Sequence, residues 1–292
     1  MRVIKAEHLG MCFGVRDAIA LALRENAAAP LTILGDLVHN ETVLADLRAQ
    51  GVRLQSFDED IATANVLITA HGASQRAVER LHRRGLNVLE ATCPLVRFAH
   101  DAILQLAASG FHPVIIGQRD HVEVRGLTGD LDNFDVILDE NDLAKLGEHP
   151  RLGVAAQTTQ PQNKVEKLVA QIRERFPDSE VRFIDTVCRP TKQRQNAAVE
   201  LARRCEVVIV IGGAQSNNTR ELVATCRRYC LRVHHVKNAH DLRAEWFTDA
   251  QLAGLTAGTS TPDATVDEVE QWLKNFSAQV LTKNPPQLET IL

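Results

Sequence analysis

The sequence predicts an α/β protein of three similar modules with mostly parallel sheets. Three observations carry this expectation. Short β-branched runs alternate with stretches of helical period along the whole chain. Most of those runs are apolar throughout, as strands covered on both faces are. Three cysteines, Cys12, Cys93 and Cys188, divide the chain almost evenly, leaving gaps that suit small α/β units facing one centre.

Taken in order, Met1–Ala6 reads as a first strand rather than a signal peptide, because it lacks an apolar stretch. Further strands are expected at Leu31–Leu34, Val66–Thr69, Asn87–Leu89 and Pro113–Ile116. Gly153–Ala156, Val181–Ile184, Glu206–Ile211 and Leu252–Thr256 continue the series. Between them, Asn40–Gln50 stops at Gly51, Ser74–Arg84 at Gly85 and Leu95–Ser109 at Gly110. Glycine just past the last apolar turn is a normal helix stop. Val165–Phe176, Asn196–Cys205 and Thr219–Tyr229 also carry helical period. The modules are expected at 12–93, at 94–187, and at 188–276 together with 1–11. Residues 277–292, with Asn284-Pro285-Pro286, read as a loosely held C-terminal extension.

Many strands run into small or polar residues, as in Thr69-Ala70-His71-Gly72, Gly212-Gly213-Ala214-Gln215-Ser216 and Thr256-Ala257-Gly258-Thr259-Ser260. Strand carboxyl ends beside helix N-termini are where open α/β sheets bind anions, so a shared polar pocket is expected there. The 292 residues carry a net charge of −4, which gives no basic field for nucleic acid. No apolar run approaches the roughly 20 residues of a membrane span. The expected location is the cytoplasm. Six cysteines, so scattered, do not make a disulfide scaffold.

Each of the three dividing cysteines stands at a step from extended chain to helix, where a thiolate is favoured. Wide spacing alone leaves three readings open: ligands, unrelated buried thiols, or one catalytic thiol. Cys226 and Cys230, four apart, and Cys205 read as chance packing.

The surrounding words are more specific. Gly10-Met11-Cys12-Phe13-Gly14-Val15, Ala91-Thr92-Cys93-Pro94-Leu95 and Val187-Cys188-Arg189-Pro190-Thr191 resemble the cysteine motifs of the 4-hydroxy-3-methylbut-2-enyl diphosphate reductase family (IspH/LytB type). Val38-His39-Asn40, Ala70-His71-Gly72, His121-Val122-Glu123-Val124, Gln157-Thr158-Thr159, Ser216-Asn217-Asn218 and Thr256–Asp263 follow in the family's order. The resemblance spans about residues 8 to 263.

It implies three pseudo-symmetric modules around a central iron–sulfur cluster of the 4Fe-4S type. Cys12, Cys93 and Cys188 would hold three irons, and the fourth would stay open for substrate. It further implies that His39, His71, His121, Ser216, Asn217, Asn218 and Ser260 hold the substrate diphosphate. Glu123 is the implied proton-delivering carboxylate and Thr158 its partner near the substrate hydroxyl. The implied reaction is reductive dehydroxylation of (E)-4-hydroxy-3-methylbut-2-enyl diphosphate to isopentenyl and dimethylallyl diphosphate. Ferredoxin or flavodoxin is the implied one-electron donor. His8, His82, His100, His112, His149, His234, His235 and His240 lie outside the words and read as ordinary polar side chains.

Four positions depart from the family's words. Val122 stands where proline is usual, Gln118 where a histidine or acid commonly follows the glycine, and Pro190 and Thr259 in place of alanine. Proline fixes φ, so Val122 bears on how His121 and Glu123 are aimed. Two alternatives remain beside the reductase: a paralogue reducing a related allylic diphosphate, and a non-catalytic iron–sulfur sensor. A sensor has no use for a proton donor.

Overall fold

The computed structural model describes residues 1–283 except residue 58. The chain begins with β1 (Arg2–Lys5), α1 (Phe13–Ala28), β2 (Leu31–Leu34), α2 (Glu41–Ala49) and β3 (Arg53–Gln55). Next come β4 (Asn65–Ile68), α3 (Gln75–Arg83), β5 (Asn87–Glu90), α4 (Pro94–Ala108), β6 (His112–Ile116) and α5 (Val122–Thr128). Then follow β7 (Asp135–Ile137), α6 (Glu140–Leu143), β8 (Arg151–Ala156), α7 (Gln162–Arg175) and β9 (Glu180–Phe183). The last elements are α8 (Arg189–Arg204), β10 (Val207–Ile211), α9 (Asn217–Arg227), β11 (Arg232–Val236), β12 (Leu252–Ala257) and α10 (Asp263–Lys283).

These elements form two compact units: Cys12–Lys192, and Met1–Met11 with the chain from Gln193 onward. The first unit holds two sheets, ordered β3-β2-β4-β5 and β7-β6-β8-β9. The second holds one, ordered β11-β10-β12-β1. Every strand pairing is parallel. All three sheets share one plan, in which the first strand of the set stands between the second and the third and the fourth takes the far edge. In the last sheet the N-terminal strand β1 fills the fourth place, pairing Arg2 with Leu252 and Lys5 with Leu255. Residues 2–5 are thereby joined to the sheet formed by the C-terminal part of the chain.

Both faces of the strands are covered. Val114 and Ile116 of β6 pack with α7 residues such as Leu168 and Ile172, whereas Ile115 packs with Ile103 and Leu106 of α4. In the other unit, Val208 and Val210 face Leu201 and Leu222, while Ile209 and Ile211 face Val269 and Leu273. The expected helix stops hold: Gly51, Gly85 and Gly110 have φ of 82°, 77° and 79°, where a side chain would be strained. Helix α10 continues to Lys283, so residues 277–283 of the expected extension are helical, and 284–292 lie outside the described residues. Among the described residues no helix is long and apolar enough to cross a membrane.

Candidate active site

Each dividing cysteine follows the fourth strand of a sheet and opens the next helix. Cys12 and Cys93 are the N-cap residues of α1 and α4, and Cys188 directly precedes α8. The parallel ladder fixes the backbone there. Cys93 N–H donates to Ala70 O at 3.1 Å, and Cys188 N–H donates to Thr158 O at 3.0 Å. Helix α1 starts against the Cys93 sulfur, since a Cβ on Gly14 would lie only 2.5 Å from it.

Burial raises the Cys93 thiol above its ordinary pKa; the Leu95 and Val96 N–H groups oppose this, and charges on Cys12 and Glu123 add to it. Burial pushes Cys188 to about 11 against the Thr191 hydroxyl and N–H, again with Glu123 and Cys12 adding. Burial and neighbouring negative charge thus both oppose the Cys93 and Cys188 thiolates. A bound iron center reverses that balance, because a metal displaces the thiol proton outright. The donor set fits an iron–sulfur group.

Three histidines gather at strand ends in the same unit. The ring centroids of His39 and His71 are 4.4 Å apart and stacked, and His121 meets them edge-on at 5.1 and 5.6 Å. One nitrogen from each ring falls within 4.8 Å of the others. His121 caps α5, its Nδ1 accepting the Glu123 N–H at 3.1 Å, so the neutral ring carries its proton on Nε2. Burial, and then the charges of His39 and His121, lower the pKa of His71 well below the usual histidine value. Neutral imidazoles packed this closely become charged readily only when an anion joins them.

Glu123 lies two residues after His121 and is 1% exposed. Its Oε1 accepts the Thr158 N–H at 2.6 Å. Desolvation raises its pKa to about 7, against the pull of the Thr158 N–H and hydroxyl. The carboxyl group is thus poised to give up a proton near neutrality.

A seam aligns the turn carrying His71 with the helix carrying His121 and Glu123. Asp130, just past α5, accepts the Gln75 N–H at 2.7 Å and the Arg76 N–H at 2.9 Å, capping α3 from outside. A Cβ on Gly126 would lie 3.2 Å from the His100 ring and 3.6 Å from Gly72 O, so these three groups are closely packed. On Gly129 it would fall 2.7 Å from the Ser74 side chain.

The other unit gathers its own polar set at the ends of β10 and β12. Ser216 caps α9 by accepting the Thr219 N–H at 3.3 Å. Asn218 accepts the Thr259 N–H at 3.0 Å, while its buried Nδ2 has no hydrogen-bond partner among the described residues. Asn217 and Ser260 are buried with them. Arg194, buried in this unit, donates through Nε and Nη2 to Gly10 O at 3.0 and 2.7 Å, two residues before Cys12. Arg194, six residues after Cys188, is a residue that the sequence analysis did not single out. Cys205, Cys226 and Cys230 pack in the apolar core, where burial pushes Cys226 to about 12.

A family model described as LytB protein matches residues 3–274. The chain is 35% identical over 281 residues to the 4-hydroxy-3-methylbut-2-enyl diphosphate reductase of Aquifex aeolicus (strain VF5), covering 94% of this chain and 96% of that protein. It is similar to the solved structure of the E-1-hydroxy-2-methyl-but-2-enyl-4-diphosphate reductase from Plasmodium falciparum, with a TM-score of 0.86 at 26% identity. That likeness covers 97% of this chain and 88% of the other. A second structure, of (E)-4-hydroxy-3-methyl-but-2-enyl diphosphate reductase, the terminal enzyme of the non-mevalonate pathway, gives a TM-score of 0.68 at 33% identity. It covers 94% and 99% of the two chains. Matched in sequence and in fold through nearly its whole length, the chain belongs to the LytB protein family.

Proposed function

We propose that the protein is a 4-hydroxy-3-methylbut-2-enyl diphosphate reductase, acting at the last step of the methylerythritol phosphate route to isoprenoid precursors. The observation that carries this reading is the buried Glu123 carboxyl, with a pKa of about 7, within the electrostatic reach of Cys93 and Cys188. A buried acid beside metal-binding thiols is what reductive loss of a hydroxyl group requires.

Cys12, Cys93 and Cys188 would hold one 4Fe-4S cluster, three protein thiolates for its four irons. When bound, the cluster supplies Lewis acidity and two electrons, delivered one at a time by a ferredoxin or flavodoxin. His39, His71 and His121, with Ser216, Asn217, Asn218 and Ser260, donate hydrogen bonds to the diphosphate. Charge-assisted donors of this kind bind an anion without an arginine clamp. Glu123 gives its proton to the departing C4 hydroxyl, and Thr158 orients that carboxyl through its N–H. The C–O bond breaks, two electrons and two protons are consumed, and water leaves with isopentenyl or dimethylallyl diphosphate as product.

Thr158 also accepts the Cys188 N–H on its carbonyl oxygen, so a single peptide segment sets the acid and one thiol together. The test is anaerobic purification followed by turnover with an artificial one-electron reductant and the family substrate. Cluster-loaded protein that consumes no substrate would remove this reading in favour of a sensor. Turnover of another allylic diphosphate alone would favour the paralogue.

A further inference from the structure

We propose that His112, Asp135 and His149 form a second metal site, for a borderline divalent ion such as Zn²⁺, at the amino end of the β7-β6-β8-β9 sheet. His112 and Asp135 are the first residues of the neighbouring strands β6 and β7, and His149 lies two residues before β8, on the other side of β6. Three adjacent strands therefore deliver one donor each to the same end of the sheet. The active-site residues His121, Glu123 and Thr158 follow the opposite ends of β6 and β8.

The donors already converge. His112 Nε2 lies 2.8 Å from Asp135 Oδ2, and one ligand atom from each of the three residues falls within 4.8 Å of the others. All three are partly buried, and among the described residues no lysine or arginine is ion-paired to Asp135. The backbone beneath His149 is fixed on both sides: Ser179 Oγ–H donates to His149 O at 2.7 Å, and Glu180 N–H donates to Pro150 O at 2.9 Å. Two imidazoles and one carboxylate suit Zn²⁺ and its neighbours, whereas Mg²⁺ and Ca²⁺ prefer oxygen donors.

The two rings are stacked in the free protein, with centroids 3.7 Å apart and planes 5° from parallel. Ring nitrogens bind metals in the ring plane, so the stack opens on binding. His149, on its loop, is the ring that swings. The Asp135 oxygen that accepts from His112 Nε2 becomes a ligand beside it, and water completes the sphere. Metal bound in this way ties β6, β7 and the loop before β8 together.

The experiment uses cluster-loaded protein kept under argon and titrated with ZnCl₂ by calorimetry, beside His149→Ala and Asp135→Asn. The expected result is one equivalent, with a dissociation constant on the order of micromolar, that is present in the wild type and lost in His149→Ala. In Asp135→Asn that equivalent binds about tenfold or more weakly. X-ray absorption at the zinc edge should show nitrogen and oxygen neighbours only. Both variants should keep wild-type iron content and turnover, and in chelator their melting temperatures, with only the wild type gaining stability from Zn²⁺. Equal zinc uptake by all three proteins, or a sulfur-dominated zinc spectrum for the wild type, would overturn the proposal. If His149→Ala does not fold, Asp135→Asn alone decides by the same affinity and spectrum.

Discussion

At the scale of single residues, the proposed function turns on a carboxyl group taken out of water. Charged carboxylate is disfavoured around Glu123, so its proton is held to about pH 7. Glu123→Gln keeps shape and hydrogen-bonding reach but cannot supply a proton. Substrate should still bind and perturb the cluster's spectrum, while turnover falls by about 10²–10⁴. Loss of binding together with turnover would make Glu123 an anchor instead. In the wild type, the rate should also decline as pH rises through about 7. The same shift has a stability consequence. The folded pKa is raised above the ordinary 4.5, so the contribution is fully present below 4.5 and is lost as pH climbs toward 7. Denaturant titrations should show wild type losing about 3 kcal/mol over that window relative to Glu123→Gln. Equal pH dependence of the two proteins would mean that Glu123 titrates normally. None of this was legible from the residue itself, because an isolated glutamate reads as surface. The family word pointed to Glu123, but its burial comes from contacts distant in sequence.

At the scale of elements, the sequence disclosed the central strands and the edge strands β1, β5 and β9, and missed one strand in each sheet. The unread strands are β3, β7 and β11, and each stands at the equivalent edge of its sheet. Their burial is uneven and none is an unbroken apolar run. Parallel central strands announce themselves by continuous β-branched residues, whereas β3 and β7 are only three residues long and His234 and His235 interrupt β11. The start of α5 was similarly quiet, yet it holds the loop in which Val122 was singled out. Val122 is the first helical residue of α5, and His121 before it has φ −69° and ψ 138°. Proline is accepted at a first helical position and favours an extended residue ahead of it. Val122→Pro should therefore raise stability by about 0.4–1 kcal/mol through the unfolded state, with turnover of the family substrate equal to or above wild type. A clear fall in turnover in a more stable protein would show a loop reshaped for another substrate. The seam makes a second element-scale prediction. Asp130→Ala removes the acceptor of two N–H groups at the start of α3, worth about 1–2 kcal/mol. It also frees the turn that carries His71. KM should rise while the pH midpoint set by Glu123 stays in place. A stability loss without any change in KM would limit Asp130 to capping.

At the scale of the molecule, the even spacing of three cysteines follows from repeating one strand order three times. In every sheet the fourth strand hands the chain to a cysteine and then to a helix, and β1 does this for Cys12 by completing a sheet whose other strands come from the far end of the chain. Three equivalent thiols follow from three sheets, the number of protein ligands in the cluster proposed above. Cys205, Cys226 and Cys230 have no such place in the repeat and belong to the apolar core. The anaerobic protein should accordingly be brown, with close to one cluster per chain, and should bleach in air. Replacing Cys12, Cys93 or Cys188 by serine should remove most of the iron and the turnover, because a hard hydroxyl is a poor substitute for thiolate. Cys226→Ser should leave iron content near that of the wild type, although placing a hydroxyl in an apolar site lowers the melting temperature. Iron and acid-labile sulfide analysis of the four variants separates these outcomes. Loss of the cluster in Cys226→Ser while the protein remains folded, or its retention in Cys188→Ser, would break the link between the repeat and the ligand set.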